Sequence, residues 1–156
     1  MTRPISEPRT GQLVVFDFDG TLADTWRDLA AALNRTLAED GLPTFDGPEV
    51  KRWVGHGVLP LLARAVPDAE PTRLERLRTR FFAHYEAGCL ATTRLYDGIE
   101  ACLAACAGAD LAVASNKPAT FLVPMVERLG IARHFAAVLG GDSLPVRKPD
   151  PRVIEA

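Results

Sequence analysis

Gln12-Leu13-Val14-Val15-Phe16-Asp17-Phe18-Asp19-Gly20-Thr21 is the stretch whose reading sets the fold. Its first half is a short apolar run, β-branched at the centre, and reads as a strand buried in a parallel sheet. Its second half closes that strand with two aspartates and a Gly-Thr turn. In open α/β sheets, ligands bind outside the carboxyl ends of the strands. Two acids at that edge concentrate negative charge, which costs free energy unless a cation compensates it. A hard divalent ion such as Mg²⁺, which prefers oxygen ligands, suits Asp17 and Asp19. The plainer reading of the same residues is a solvated acidic turn, since turns are rich in aspartate and glycine.

Outward from this stretch the periodicity changes. Trp26, Leu29, Ala30, Leu33 and Leu37 follow a 3.6-residue period, which predicts a helix stopped by Gly41 and Pro43. Residues 48–66 predict two short helices about a joint at Gly55 and Gly57. Residues 71–87 predict a longer one, with Leu74, Leu77, Phe81, Phe82 and Tyr85 as its apolar stripe. A loop over 92–97 leads to a helix over 98–107. Strand character returns at 111–115 (LAVAS), followed by a helix opened by Pro118 and ended by Gly130. A third strand over 136–139 runs into Gly140-Gly141-Asp142, and a loop over 145–151 carries Lys148 to a last helix near Pro151.

Strands alternating with helices predict an α/β fold with a Rossmann-like parallel sheet. The first two strands are separated by about 75 residues, against the dozen or so of an ordinary crossover. Residues 24–95 are therefore expected to form a helical subdomain inserted into a core made of 1–23 and 96–156.

Of the 156 residues, 47% are hydrophobic and 24% charged, the proportions of an ordinary globular protein rather than a disordered or disulfide-stapled one. The net charge of −2 lacks the basic footprint of a nucleic-acid binder, so no nucleic-acid partner is expected. No run approaches the roughly 20 apolar residues of a membrane helix. Residues 1–10 are polar and proline-containing, without a signal-type apolar core, so the cytoplasm is the expected compartment. Three cysteines (Cys89, Cys102 and Cys106) fit a reducing environment. Cys102 and Cys106 share a helical face. A metal site there is conceivable, but two thiols with no nearby histidine read better as small residues turned to a core.

Two further strand ends strengthen the case at Asp17 and Asp19. Ser115-Asn116 follows the second strand and would open a hydroxyl and backbone amides on the same sheet edge. Lys148 follows the third and could supply a cation to a phosphoryl group; only Lys51 and Lys117 are other lysines. Each taken alone reads as a plain turn or a surface lysine.

With these residues together, the chain resembles the haloacid dehalogenase-like phosphohydrolases. Asp17-Phe18-Asp19-Gly20-Thr21-Leu22 matches their first motif, Ser115 the second and Lys148-Pro149 the third. Leu22-Ala23-Asp24-Thr25, Trp53-Val54-Gly55-His56-Gly57, Ser115-Asn116-Lys117-Pro118 and Gly140-Gly141-Asp142-Ser143 look like the bacterial phosphoglycolate phosphatases within that family. The resemblance implies a Mg²⁺-dependent phosphatase of small organic phosphates, 2-phosphoglycolate first. Asp17 would be the nucleophile and Asp19 the general acid and base. Mg²⁺ would be held by Asp17 and Asp19. Ser115 and the amides around Phe18, Gly20 and Thr21 would hold phosphoryl oxygens, and Lys148 would balance charge. Residues 24–95 would be a cap that closes over the site. Gly55-His56-Gly57 would be its substrate contact, although His56 also reads as an ordinary turn histidine. Asn116 and Lys117 would help bind substrate, or Lys117 would only cap the next helix. Asp24 would mark the hinge or serve a helix N-terminus.

The chain departs from the family in one respect. The fourth motif, a further strand ending in acidic metal ligands after the lysine, has no counterpart. Gly141-Asp142-Ser143 imitates it but precedes Lys148, so Asp142 is not assigned to the metal. Without that strand, weak metal binding and an exposed apolar edge at residues 12–16 are expected. The chain looks like the N-terminal two-thirds of such an enzyme, as a partial record or a truncated product. The rival readings are another sugar-phosphate phosphatase or phosphoglucomutase, a truncated non-catalytic fragment, and a response-regulator receiver. Against the receiver stand the second aspartate and the long helical insert.

Overall fold

The computed structural model describes residues 11–155. The stretch 1–10, on which the reading of the N-terminus rests, lies outside them. The described residues form two compact units, one of 11–23 and 95–155, the other Asp24–Arg94.

The first unit is built on a parallel sheet of three strands, β1 (Leu13–Phe16), β4 (Asp110–Ala114) and β5 (Ala137–Leu139), in the order β1-β4-β5. Phe16 lies opposite Val113, and Ala114 opposite Leu139. Asp17, Ser115 and Gly140 therefore leave the sheet on one edge. β4 is central, and its Leu111, Ala112, Val113 and Ala114 are buried. β1 is parallel as expected but only half-buried, with Leu13 53% exposed. It is an edge strand among the described residues, so one of its sides lacks a neighbour. Helices α5 (Ile99–Ala105), α6 (Ala119–Arg128) and α7 (Arg152–Glu155) complete the unit. Leu103, Leu122, Met125 and Val153 turn inward from them. Cys102 corrects the sequence reading. It is exposed and Cys106 only half-buried, because Leu103 holds the inner face of α5. A 3₁₀ turn over Ala132–His134 leads into β5.

The second unit is helical. α1 (Trp26–Glu39) packs against α4 (Pro71–Gly88), with the short α2 (Gly47–Lys51) and α3 (Val58–Ala65) completing it. The apolar period forecast from the sequence is the period that is buried. Leu29, Leu33 and Leu37 of α1 are buried, as are Leu77, Phe81 and Tyr85 of α4, while Leu74 and Phe82 sit at the margin. Two-residue strands, β2 (Ala23–Asp24) and β3 (Arg94–Leu95), pair with each other; β3 falls inside the stretch expected to be loop.

Candidate active site

The turn after β1 is shaped by its own backbone. The Phe18 carbonyl accepts from the amides of Thr21, Leu22 and Ala23, and Gly20 N donates to the Ala23 carbonyl at 2.9 Å. Gly20 has φ +79°, a conformation that favours glycine at this sharp bend. Phe18 is fully buried and anchors the turn from below. Phe18 N donates to Asp17 Oδ1 at 2.7 Å. The amides expected to cradle a phosphoryl group at Phe18, Gly20 and Thr21 thus already have acceptors within the turn.

Each aspartate faces a lysine. Lys148 Nζ lies 2.8 Å from Asp17 Oδ1, with both side chains partly open to water. Lys117 Nζ lies 3.2 Å from Asp19 Oδ1, and this pair is almost closed off, with side chains 4% and 9% exposed. Lys117, expected to bind substrate or cap the next helix, has Asp19 as a partner in this structure. Its position followed from no local sequence signal, because only the sheet register brings the loop after β4 beside the loop after β1.

Ser115 is buried, and its Oγ accepts from Lys117 N at 3.2 Å. The hydroxyl proton remains available to a ligand oxygen. Asn116 is half-buried in the same loop. Asp142 accepts from Ala119 N at 2.7 Å at the start of α6. Asp17, Asp19, Ser115, Lys117 and Lys148 all belong to the first unit.

Gly55, His56 and Gly57 belong to the second unit, between α2 and α3. His56 is exposed, and the flanking glycines have φ +110° and +91°. Asp24 also belongs there, buried and bonded to Arg27 Nη1 at 2.7 Å, with Arg94 at 4.0 Å. Asp28 was missed by sequence reasoning. It is buried in the first turn of α1, where its carboxylate accepts from the amides and hydroxyls of both Thr92 and Thr93 at 2.7–3.1 Å.

The donor set at Asp17 and Asp19 suits a hard cation in kind, being oxygen only. In number it is sparse: Asp17 and Asp19 supply at most two carboxylates, each with one oxygen facing a lysine, so water and phosphate oxygens would have to complete the shell of Mg²⁺. Asp17 Oδ2 has no partner among the described residues, whereas Oδ1 is taken by Lys148 and Phe18 N. No cluster of three or more His, Cys, Asp or Glu side chains fit for a metal occurs among the described residues. Nor is any helix among them long and apolar enough to cross a membrane.

The sequence pattern of the haloacid dehalogenase-like hydrolases matches residues 14–156. The chain belongs to that family. Within it, the phosphoglycolate phosphatase of Agrobacterium fabrum is 39% identical over 162 aligned positions, covering 98% of this chain and 66% of that protein. The phosphoglycolate phosphatase of Rhodospirillum rubrum is 42% identical over 153 positions, covering 92% and 64%. A crystal structure described as a predicted phosphoglycolate phosphatase from Haemophilus somnus superposes with a TM-score of 0.85 at 30% identity, covering 94% of this chain and 69% of that one. This haloacid dehalogenase-like chain thus spans slightly under two-thirds of the length of these two curated relatives.

Proposed function

We propose that the chain carries the site of a phosphomonoesterase acting on a small organic phosphate, with 2-phosphoglycolate as the first candidate substrate. The observation that carries this reading is the pair of aspartates at the end of β1, each within ion-pair distance of its own lysine on a neighbouring loop. The two carboxylates and two ammonium groups sum to zero charge. A phosphate dianion with Mg²⁺ also sums to zero, so the complex would enter the site without net charge to bury.

In this reading Asp17 Oδ2, which has no partner among the described residues, attacks phosphorus in line and the ester oxygen leaves, giving a phosphoaspartyl group. Asp19, once it has taken up a proton from solvent, delivers it to the departing alkoxide and then recovers one from the water that hydrolyses the phosphoaspartate. Ser115 donates its hydroxyl proton to a phosphoryl oxygen. Lys148 balances the charge that builds on the transferring group. Mg²⁺, when bound by the Asp17 carboxylate and the Asp19 main-chain carbonyl, would supply further charge compensation. Residues 24–95 act as the cap, and Gly55-His56-Gly57 as its substrate-contact loop.

The support for 2-phosphoglycolate is the relatives of that name at about 40% identity across nearly the whole chain. The test is phosphate release from a panel holding 2-phosphoglycolate, sugar phosphates and p-nitrophenyl phosphate. Asp17→Asn should reduce release to background for every compound. Release at the unmodified rate in that variant would remove Asp17 as the nucleophile, and a sugar phosphate preferred over 2-phosphoglycolate would change the substrate.

A further inference from the structure

The loops that follow β4 and β5 are braced against each other by groups the proposed chemistry leaves unused. Ser115 N donates to the Leu139 carbonyl at 2.9 Å, and Gly141 N to the Lys117 carbonyl at 2.9 Å. Gly140 N donates to Ser143 Oγ at 2.9 Å, which closes the second loop on itself. Ala119 N, the first amide of α6, donates to Asp142 Oδ1 at 2.7 Å. First-turn amides of a helix have no acceptor within it. The residue in the cap position here is Pro118, which offers no side-chain acceptor, so Asp142 supplies one from the opposite loop.

The fit between the loops is tight. A Cβ on Gly140 would stand 2.4 Å from Ala119 N, and one on Gly141 2.6 Å from the Asn116 carbonyl oxygen. Both obstacles are backbone, which cannot swing aside as a side-chain tip can. Residues 115–118 are therefore held at Ser115 by β5, in the middle by Gly141, and at the start of α6 by Asp142. That segment carries the Ser115 hydroxyl and the Lys117 ammonium.

We propose that Asp142 is a positioning residue: by capping α6 from the neighbouring loop, it holds residues 115–118 in the shape that presents Ser115 and Lys117 to the reacting groups. The proposal rests on the phosphomonoesterase reading for its catalytic half. Asp142 acts as a hydrogen-bond acceptor and not as a metal ligand, so an amide oxygen should replace its carboxylate. Asn and Asp are about equal as helix caps, whereas Ala is a poor one.

The test compares the unmodified chain with Asp142→Ala and Asp142→Asn. Amide hydrogen exchange is read over residues 115–121, and p-nitrophenyl phosphate turnover is followed across a Mg²⁺ series. For Asp142→Ala, exchange of the Ala119 amide should quicken and kcat should fall about tenfold or more, as small misplacements of positioned groups do. The Mg²⁺ concentration at half-maximal rate should stay fixed. Asp142→Asn should restore both exchange and kcat. Unchanged exchange in Asp142→Ala overturns the brace. An Asp142→Asn variant as impaired as Asp142→Ala, or a raised Mg²⁺ requirement, overturns the acceptor role in favour of charge or metal binding. If the unmodified chain turns over no phosphate while exchange behaves as expected, the phosphomonoesterase reading fails and takes the catalytic half with it. The brace itself would stand.

Discussion

At the scale of single residues, the two aspartate–lysine pairs differ in access to water, and the difference fits different duties. The Asp17–Lys148 pair is partly open, so a ligand can reach it, and Asp17 keeps one oxygen uncommitted. The Asp19–Lys117 pair is nearly closed, which fixes the Asp19 side chain at the cost of desolvating two charges. Lys148→Ala should lower the rate of phosphate release by about a hundredfold or more, the loss typical of one preorganised electrostatic contact, with no comparable loss of thermal stability. A rate within a few-fold of the unmodified chain would remove Lys148 from the chemistry. Asp17 and Asp19 were legible as candidates because they sit where an apolar run gives way to a polar turn, and Lys148 because it follows the third strand in a chain with only three lysines. Lys117 was singled out for substrate or for capping, but its pairing with Asp19 was not foreseen, because that partner lies on a different strand end and no local spacing encodes the meeting. Asp142 could be kept from the metal by its order along the chain, but its bond to Ala119 depends on two loops meeting. The adjacent glycines were the available signal, since paired glycines often mark close backbone approach.

At the scale of elements, the long helices were legible and the short strands were not. α1 and α4 carry enough periodic apolar residues to declare themselves. β2 and β3 are two residues each, too short to show any period. What joins this region is the Asp28 carboxylate, which gathers both threonines ahead of β3 at the first turn of α1. In sequence, Asp28 looks like any acid placed to meet a helix dipole. Asp28→Ala strands those donors, and Thr93 is buried. The expected loss is about 2–3 kcal/mol, which a urea unfolding curve would detect as a lower midpoint with unchanged slope. A midpoint identical to that of the unmodified chain would show that water replaces the carboxylate without cost.

At the scale of the whole molecule, the two units carry different reporters. Both tryptophans, Trp26 and Trp53, lie in the helical unit, so their fluorescence reads that unit alone. The same unit holds Asp40 at the end of α1, facing Arg73 at 2.9 Å, Arg80 at 2.8 Å and Arg76 at 4.0 Å on α4. The Arg73 hydrogen bond holds the Asp40 carboxyl below its ordinary 3.8; burial opposes this, and the charges of all three arginines add to it. A carboxyl lowered in the folded state stabilises that state above its ordinary value and gives up the contribution as pH falls through the lowered one. Asp40→Asn should therefore lower the fluorescence-detected melting temperature at neutral pH. The gap should narrow below about pH 4. A gap of constant size from neutral to strongly acidic pH would show that the arginines hold α1 by packing rather than by charge.

The order β1-β4-β5 also bears on how the molecule is made. Leu13 pairs with Asp110, so β1 meets its described sheet partner only after the whole helical unit has been synthesised. At about 5–20 residues per second, roughly a hundred residues keep a growing chain waiting on the order of ten seconds. For that interval an apolar strand leaves the ribosome with its pairing groups unclaimed. The helical unit, whose α1–α4 contacts lie wholly within the insertion, can close before Asp110 is made and bring the two ends of the insertion toward each other. The insertion thus gives the sheet a shorter loop to close than the residue count implies.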